Sequence, residues 1–307
     1  MGKLDDSVKG TKKALTDFFG ALMGKKSENS GLETIIPEYR KMRKTERKHN
    51  IIPSNGLFYI KSRGETEEKP DYSISSTGIG EFDNLISDRG LEKNSTILLS
   101  GGAGTGKTTF TIQSMYNSAM KNGEKGIYVS FEEEPEKIKA HMKKNFGWDL
   151  NALEKRGLFS IIKIDPVDVS RTVEQVLMDR GGELKIDLKK IELPFKPDKI
   201  TIDSLSALAI AFSDEENYRK YVRELFESLE NMNCVAYVIS ETEQDPKIYS
   251  RTGVEEFLAD GVVVLYNIKK DEKRENALEI LKLRSSSHKK GIVRYKITDK
   301  GITIVDN

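Results

Sequence analysis

Hydrophobic and polar positions follow two regimes along this chain. From residue 96 onward, short apolar runs of strand length alternate with stretches whose apolar residues recur at helical spacing. The runs at 96–100, 127–131, 160–164, 199–203, 234–240 and 261–266 read as buried strands. The segments 108–121, 135–145, 170–180 and 215–231 between them read as helices, the last carrying Tyr218, Val222, Leu225, Phe226 and Leu229 on one face. After Tyr266 the pattern turns to short strands at 277–283, 292–297 and 302–305 joined by charged turns. The expected fold is therefore α/β, a mainly parallel sheet flanked by helices with an antiparallel extension at its end. No internal repeat is visible.

The first 70 residues behave differently. Leu4, Val8, Leu15, Phe18, Phe19 and Leu22 fall loosely at helical spacing, interrupted by Gly10, Gly20 and Gly24. Asp5, Asp6 and Asp17 dilute the basic face, which favours a packing helix or a tail over a membrane anchor. Lys25 to Asn50 is polar and basic and reads as a solvated helix or as a contact for an acidic partner. Leu57-Phe58-Tyr59-Ile60 could form a short strand, and the breaker-rich stretch Arg63 to Pro70 marks a boundary. The expected organisation is a mostly helical, basic N-terminal extension over residues 1–70 and one large domain over 71–307.

Composition narrows the function classes. The 307 residues carry a formal charge of only +1, so nothing global points to nucleic acid or an anionic membrane. The first 50 residues are locally basic, with twelve Lys/Arg against seven Asp/Glu, and form the expected contact for a protein partner. Cys234 is the only cysteine and lies in an apolar run, which excludes disulfides within the chain and predicts an inert thiol. No apolar stretch approaches the roughly twenty residues of a membrane span, and the N-terminus lacks a signal-peptide core, so the expected compartment is the cytoplasm.

Candidate chemistry is concentrated after the first strand of the large domain. Thr96 to Ser100 runs into Gly101-Gly102-Ala103-Gly104-Thr105-Gly106-Lys107-Thr108-Thr109, the G-x-x-x-x-G-K-T pattern, followed by an amphipathic segment. Glycines let backbone N–H groups curl around phosphate oxygens, Lys107 can reach the β and γ phosphates, and the Thr108 hydroxyl can ligate Mg²⁺. Gly102 to Thr109 are thus the predicted phosphate cradle for ATP. The apolar strand Lys199-Ile200-Thr201-Ile202 ends in Asp203, the natural Mg²⁺ partner of Thr108. A third strand opens into Glu132-Glu133-Glu134-Pro135; in a parallel sheet these carboxylates emerge beside the phosphate loop, where Glu132 and Glu133 are placed to orient and deprotonate water. Glu134 suits the start of the next helix.

Several further stretches, in register from about Ser76 to the C-terminus, resemble the KaiC branch of the RecA-type ATPases. They are Ser76-Thr77-Gly78-Ile79-Gly80-Glu81-Phe82-Asp83, Asn145-Phe146-Gly147-Trp148-Asp149-Leu150, Gly253-Val254-Glu255-Glu256-Phe257, and Leu281 to Gly291 with its Lys282-Leu283-Arg284 and Ser286, His288 and Lys290. The resemblance implies a RecA-like P-loop fold, slow ATP hydrolysis coupled to a regulatory conformational switch, and Glu132 and Glu133 as a catalytic pair. It implies that Asn145, Thr298 and Asp299 lie near the base or ribose. It also implies that Lys282, Leu283, Arg284, Ser286, His288 and Lys290 reach the nucleotide of the adjacent subunit in a homo-oligomeric, hexameric ring, with Lys282 and Arg284 assisting catalysis.

Two departures stand out. Clock proteins of this branch carry tandem ATPase domains and this chain carries one. The positions matching their autophosphorylated Ser-Thr pair are Glu256 and Phe257, so autokinase activity is not expected, with Thr252 the nearby hydroxyl. Two rival functions share the same core. One is a scaffold assembled by nucleotide with little turnover. The other is a recombinase-like DNA-binding ATPase, disfavoured by Asp214-Glu215-Glu216 and by the mixed charge of residues 241–253.

Overall fold

The computed structural model describes residues 71–179, 181–186, 193–244, 249–250 and 252–305. The amphipathic segment at 1–23, the basic segment at 25–50, the apolar run at 57–60 and the boundary at 63–70 lie outside the described residues.

A nine-stranded sheet organises the rest. In chain order its strands are β3 (Thr96–Gly101), β4 (Gly126–Ser130), β5 (Phe159–Lys163), β6 (Lys199–Asp203), β7 (Val235–Glu241), β8 (Gly261–Lys270), β9 (Lys273–Leu283), β10 (Val293–Thr298) and β11 (Gly301–Val305). They are arranged β11-β10-β9-β8-β3-β7-β6-β4-β5, and a separate antiparallel pair joins β1 (Ile74–Ser75) to β2 (Leu91–Glu92). Pairing is parallel from β8 across to β5 and antiparallel from β8 to β11.

Parallel strands buried on both faces need apolar residues at successive positions, and β3, β4 and β7 supply them. Alternate side chains feed two cores. Leu98, Val129, Ile202, Val238 and Val264 pack on one face. Ile97, Leu99, Tyr237, Ile239, Val263 and Leu265 pack on the other, with Phe110 and Phe82. Cys234 is buried in the first of these cores, and burial pushes its thiol up to about 12.

The helices begin and end where local chemistry dictates. After α1 (Gly80–Asp83), α2 (Lys107–Asn122) starts from Gly106 at φ +89° and stops at Gly123, whose N–H returns to the Ala119 carbonyl. Pro135 opens α3 (Pro135–Phe146), and Asp149 caps α4 (Leu150–Lys155) by accepting from the Ala152 N–H at 3.0 Å. Next come α5 (Pro166–Asp179), α6 (Leu205–Ala211), α7 (Glu215–Glu230) and α8 (Glu255–Leu258). The α5 helix starts four residues before the position expected from periodicity, because Pro166 is tolerated in its first turn.

One helix has no counterpart among the expected elements, and one expected strand is corrected. Residues 205–211 form a helix capped by Ser204, whose hydroxyl accepts from the Ala207 N–H at 3.3 Å. The strand expected at 277–283 begins at Lys273 and forms a long hairpin with β8; its charged first half sits outside the core and is held by cross-strand pairs such as Asn267 with Asn276 at 2.8 Å. Among the described residues no helix is long and apolar enough to cross a membrane.

Candidate active site

Register sets the site. Gly101 of β3 pairs with Glu241 of β7, Ser130 of β4 pairs with Asp203 of β6, and β7 lies beside β6, so four carboxyl-terminal strand ends share one edge. The glycine-rich loop leaves β3 at this edge and turns into α2, and its backbone requires glycine. Gly104 and Gly106 have φ of +76° and +89°, and a Cβ at Gly106 would come within 2.8 Å of Ile297. Thr105 bonds within the loop, its hydroxyl donating to the Gly102 carbonyl at 2.9 Å.

Lys107 is 6% exposed. Its ammonium donates to the carbonyls of Gly101 at 2.9 Å and Gly102 at 3.0 Å, and Glu241 Oε1 lies 3.5 Å away. Burial lowers the Lys107 pKa, opposed by the charges of Glu241, Asp203 and Glu132. The Thr108 hydroxyl donates to Asp203 Oδ2 at 3.0 Å, and the Tyr128 hydroxyl donates to the same oxygen. Burial raises the Asp203 carboxyl above the ordinary carboxylate range, against the opposing effect of those two hydroxyls. The Asp203–Ser204 peptide is cis.

Glu132 is exposed but oriented, with Oε1 accepting from the Ser204 hydroxyl at 2.9 Å, one residue beyond Asp203. Glu133 leans the other way, its carboxylate 3.7 Å from Lys137 on the solvent side. Its backbone is tied to Ser130, whose hydroxyl accepts from the Glu133 N–H at 3.0 Å. Gly102, Ala103, Gly104, Thr105, Gly106, Lys107, Thr108, Thr109, Glu132, Glu133 and Asp203 therefore gather at one edge.

The last hairpin approaches that edge from the side. Thr298 and Asp299 form its turn, where the Thr298 hydroxyl accepts from the Lys300 N–H at 3.2 Å. The hairpin is fastened to α2 by Gln113, which donates to the Ile302 carbonyl at 3.0 Å and accepts from the Ile302 N–H at 2.7 Å. Asn145 is exposed on the last turn of α3, near Trp148, whose ring lies against Gly301 of the hairpin.

The segment from Lys282 to Lys290 is elsewhere. Leu283 pairs with Gly261, which pairs with Ile97 near the start of β3. The Arg284 N–H donates to the Asp260 carbonyl at 2.9 Å, and the Thr96 N–H donates to Asp260 Oδ2 at 3.0 Å. Thr96 and Gly101 are the two ends of β3, so at about 3.3 Å per residue Arg284 is anchored roughly 16 Å from the phosphate loop of its own chain. His288 bridges to Ile86, Lys290 Nζ lies 3.1 Å from His288 Nε2, and the Ser286 hydroxyl donates to the Ser287 carbonyl at 3.2 Å.

Sequence reasoning missed several neighbours of the loop. Tyr128 reads as a core residue of an apolar strand. Gln244 donates to the Ala103 carbonyl at 3.0 Å, and its side chain fills the space a Cβ at Gly102 would need. The Tyr295 hydroxyl donates to the Thr105 carbonyl. Glu241, 3.5 Å from Lys107, was missed as well, and it alone carried a signal, a carboxylate at the end of an apolar strand.

A family model described as ATPase: KaiC matches residues 75–307. The chain is 36% identical over 245 residues to the circadian clock oscillator protein KaiC of Parathermosynechococcus lividus, covering 79% of this chain and 44% of that protein. It is 34% identical over 230 residues to the circadian clock protein KaiC3 of Synechocystis sp., covering 75% and 45%. The chain thus spans less than half the length of these curated relatives. A crystal structure of a KaiC-like protein from Pyrococcus horikoshii OT3 is similar at a TM-score of 0.63 and 29% identity, covering 76% of this chain and all of that one.

Proposed function

Since the chain belongs to the KaiC family of RecA-type ATPases, we propose that it binds Mg²⁺-ATP at sites between subunits of a homo-oligomeric ring, hydrolyses it slowly, and passes the resulting conformational change to a protein partner through residues 1–50. Ring size is proposed as six.

The residues at the carboxyl edge fit this chemistry. A hydroxyl and a carboxylate side by side, Thr108 and Asp203 at 3.0 Å, are the oxygen donors a hard divalent cation takes. Among the described residues no group of three His, Cys, Asp or Glu side chains gathers for a dedicated metal cage, which suits an ion shared with phosphate oxygens. When bound, Mg²⁺ would neutralise charge on the β and γ phosphates. Lys107 exchanges its loop carbonyls for phosphate oxygens, which offer a buried ammonium the full negative charge that carbonyls lack. Glu132, steered by Ser204, orients the attacking water and accepts its proton, with Glu133 beside it. Asn145, Thr298 and Asp299 flank the base and ribose.

The observation that carries the intersubunit part is the separation of Arg284 from its own phosphate loop by the length of β3. A cation placed there serves a γ-phosphate only on a neighbouring subunit. Its contribution is expected to be on the order of 10³-fold in turnover, as for fingers supplied in trans elsewhere. Lys282, Ser286, His288 and Lys290 share that edge and complete the neighbour's site. The test is complementation: Lys107→Ala and Arg284→Ala chains should each be nearly inactive, and mixing them with subunit exchange should restore hydrolysis at interfaces pairing an intact Lys107 with an intact Arg284. No restored activity, with exchange demonstrated, would count against the trans assignment.

A further inference from the structure

Both cations of the proposed finger grip one short turn. Lys282 Nζ donates to the carbonyls of Glu256 at 3.0 Å and Ala259 at 2.5 Å. Arg284 donates to the Phe257 carbonyl at 2.8 Å and pairs with Asp260 at 3.2 Å. These acceptors are the open carbonyl end of α8 and the residues just after it, so wherever this turn sits, the cations sit.

Two carboxylates hold the turn: that of half-buried Glu256 accepts from the Tyr249 N–H at 2.6 Å and the Ser250 hydroxyl at 3.1 Å, and that of Glu255 holds it from inside. Glu255, the first residue of α8, is fully buried. Its Oε1 accepts from the Tyr218 hydroxyl at 2.8 Å and its Oε2 from the Thr252 hydroxyl at 2.8 Å. Tyr218 is 1% exposed in α7, with Phe212 packed edge-on at 5.7 Å, so its hydroxyl has little freedom to move. A one-turn helix has too few internal hydrogen bonds to hold an orientation by itself. A buried carboxylate clasped by hydroxyls from α7 and from residue 252 supplies that orientation.

We propose that Glu255 and Tyr218 are positioning residues for Lys282 and Arg284, setting the alignment of the cations that one subunit offers to its neighbour's nucleotide. The inference rests on the trans assignment and adds to it the device that aims the finger. Glu255 is buried within its own chain and acts through α8. Misalignment of a catalytic group by an ångström costs on the order of 10²-fold, so loss of this clasp should fall on turnover and leave ATP affinity at the same chain's phosphate loop unchanged.

The complementation pair separates this role from a general structural one. In the mixture, Lys107→Ala chains supply the finger and Arg284→Ala chains supply the phosphate loop. Adding Tyr218→Phe to the Lys107→Ala chain should lower the restored rate by roughly tenfold to 100-fold. Adding it to the Arg284→Ala chain should leave the restored rate within about twofold. An equal loss on both chains, or a loss confined to the phosphate-loop chain, would overturn the proposal, because Tyr218 would then act through Leu205, whose carbonyl lies 3.5 Å from its hydroxyl, and through Asp203 two residues before it. Thr252→Val removes the other donor and carries the same asymmetric expectation if Tyr218→Phe does not fold. A parental mixture that fails to regain activity overturns the trans assignment itself, whereas restored activity with a symmetric loss overturns only the positioning role.

Discussion

Two lysines are buried at opposite edges of the same sheet, and they are satisfied in different ways. Lys199, 1% exposed, opens β6; its ammonium pairs with Glu124 and donates to Ser75 at 2.8 Å. Lys107, 6% exposed, lies at the other edge and leans on two backbone carbonyls, with a half-exposed glutamate 3.5 Å away. Burial lowers the pKa of both. What distinguishes them is the partner. Lys199 has a carboxylate and a hydroxyl built into the fold, which tie the lead-in strand β1 to the sheet. Lys107 holds a charge that its surroundings only partly compensate, so an arriving polyphosphate supplies what is missing. Burial of a cation alone therefore does not mark a binding residue; incomplete compensation does.

Substitutions can break this contrast, and the largest effect is expected next to Lys107. Glu132→Gln should lower turnover by about 10² to 10⁴-fold, the range for removing a general base, with ATP affinity unchanged in an equilibrium titration. Glu133→Gln should cost less, because Glu133 leans towards Lys137; a larger loss than from Glu132→Gln would reverse the ranking. Lys199→Ala leaves the partly buried Glu124 without its cation and should lose up to about 3 kcal/mol in urea unfolding, while the folded fraction binds ATP normally. A drop of less than about 1 kcal/mol would show that the pair contributes little beyond packing.

Lys107→Met should do the reverse. The removed charge-assisted bonds are worth about 1.5–3 kcal/mol, so ATP affinity should fall roughly 10- to 100-fold, while the urea midpoint stays level or rises. A lowered midpoint would mean that the carbonyl contacts already compensate the ammonium.

The smallest expected effect is at Asp203. Its folded pKa lies above the unfolded value, so the contribution of this group to stability is full below the unfolded pKa and is lost as pH rises through the folded one. Asp203→Asn should therefore melt a few degrees higher than the parent at neutral pH, with the gap closing on acidification. A lower melting point at neutral pH would show that the carboxylate's bonds to Thr108 and Tyr128 outweigh its burial.

Much of the fold was legible because the parallel strands must be apolar throughout. The strands expected at 96–100, 127–131, 160–164, 199–203 and 234–240 differ from β3–β7 by one residue or none at either end. Residues 205–211 were not recognised as a helix, since a seven-residue apolar stretch lacks the length for a 3.6 period to emerge. The candidate site was legible wherever a local pattern carries chemistry, as in the glycine-rich loop and the strand-ending Asp203. Its geometry was not. Strand order is a property of the whole sheet, so nothing in the sequence around Arg284 places it at the edge opposite Lys107. Gln113 and Gln244 bond to backbone groups distant in sequence, and such contacts leave no periodic trace.

The fastening of the final hairpin to α2 has an optical consequence. Trp148 is the chain's only tryptophan. Its indole is stacked with Phe146 at 4.5 Å and Tyr116 at 5.7 Å, and it abuts Gly301, which also crowds Gln113 of the helix that follows the phosphate loop. Excitation at the red edge of the aromatic band therefore addresses a single emitter within this nucleotide-side packing. Its emission wavelength and lifetime report any shift of the hairpin against α2 without an attached dye.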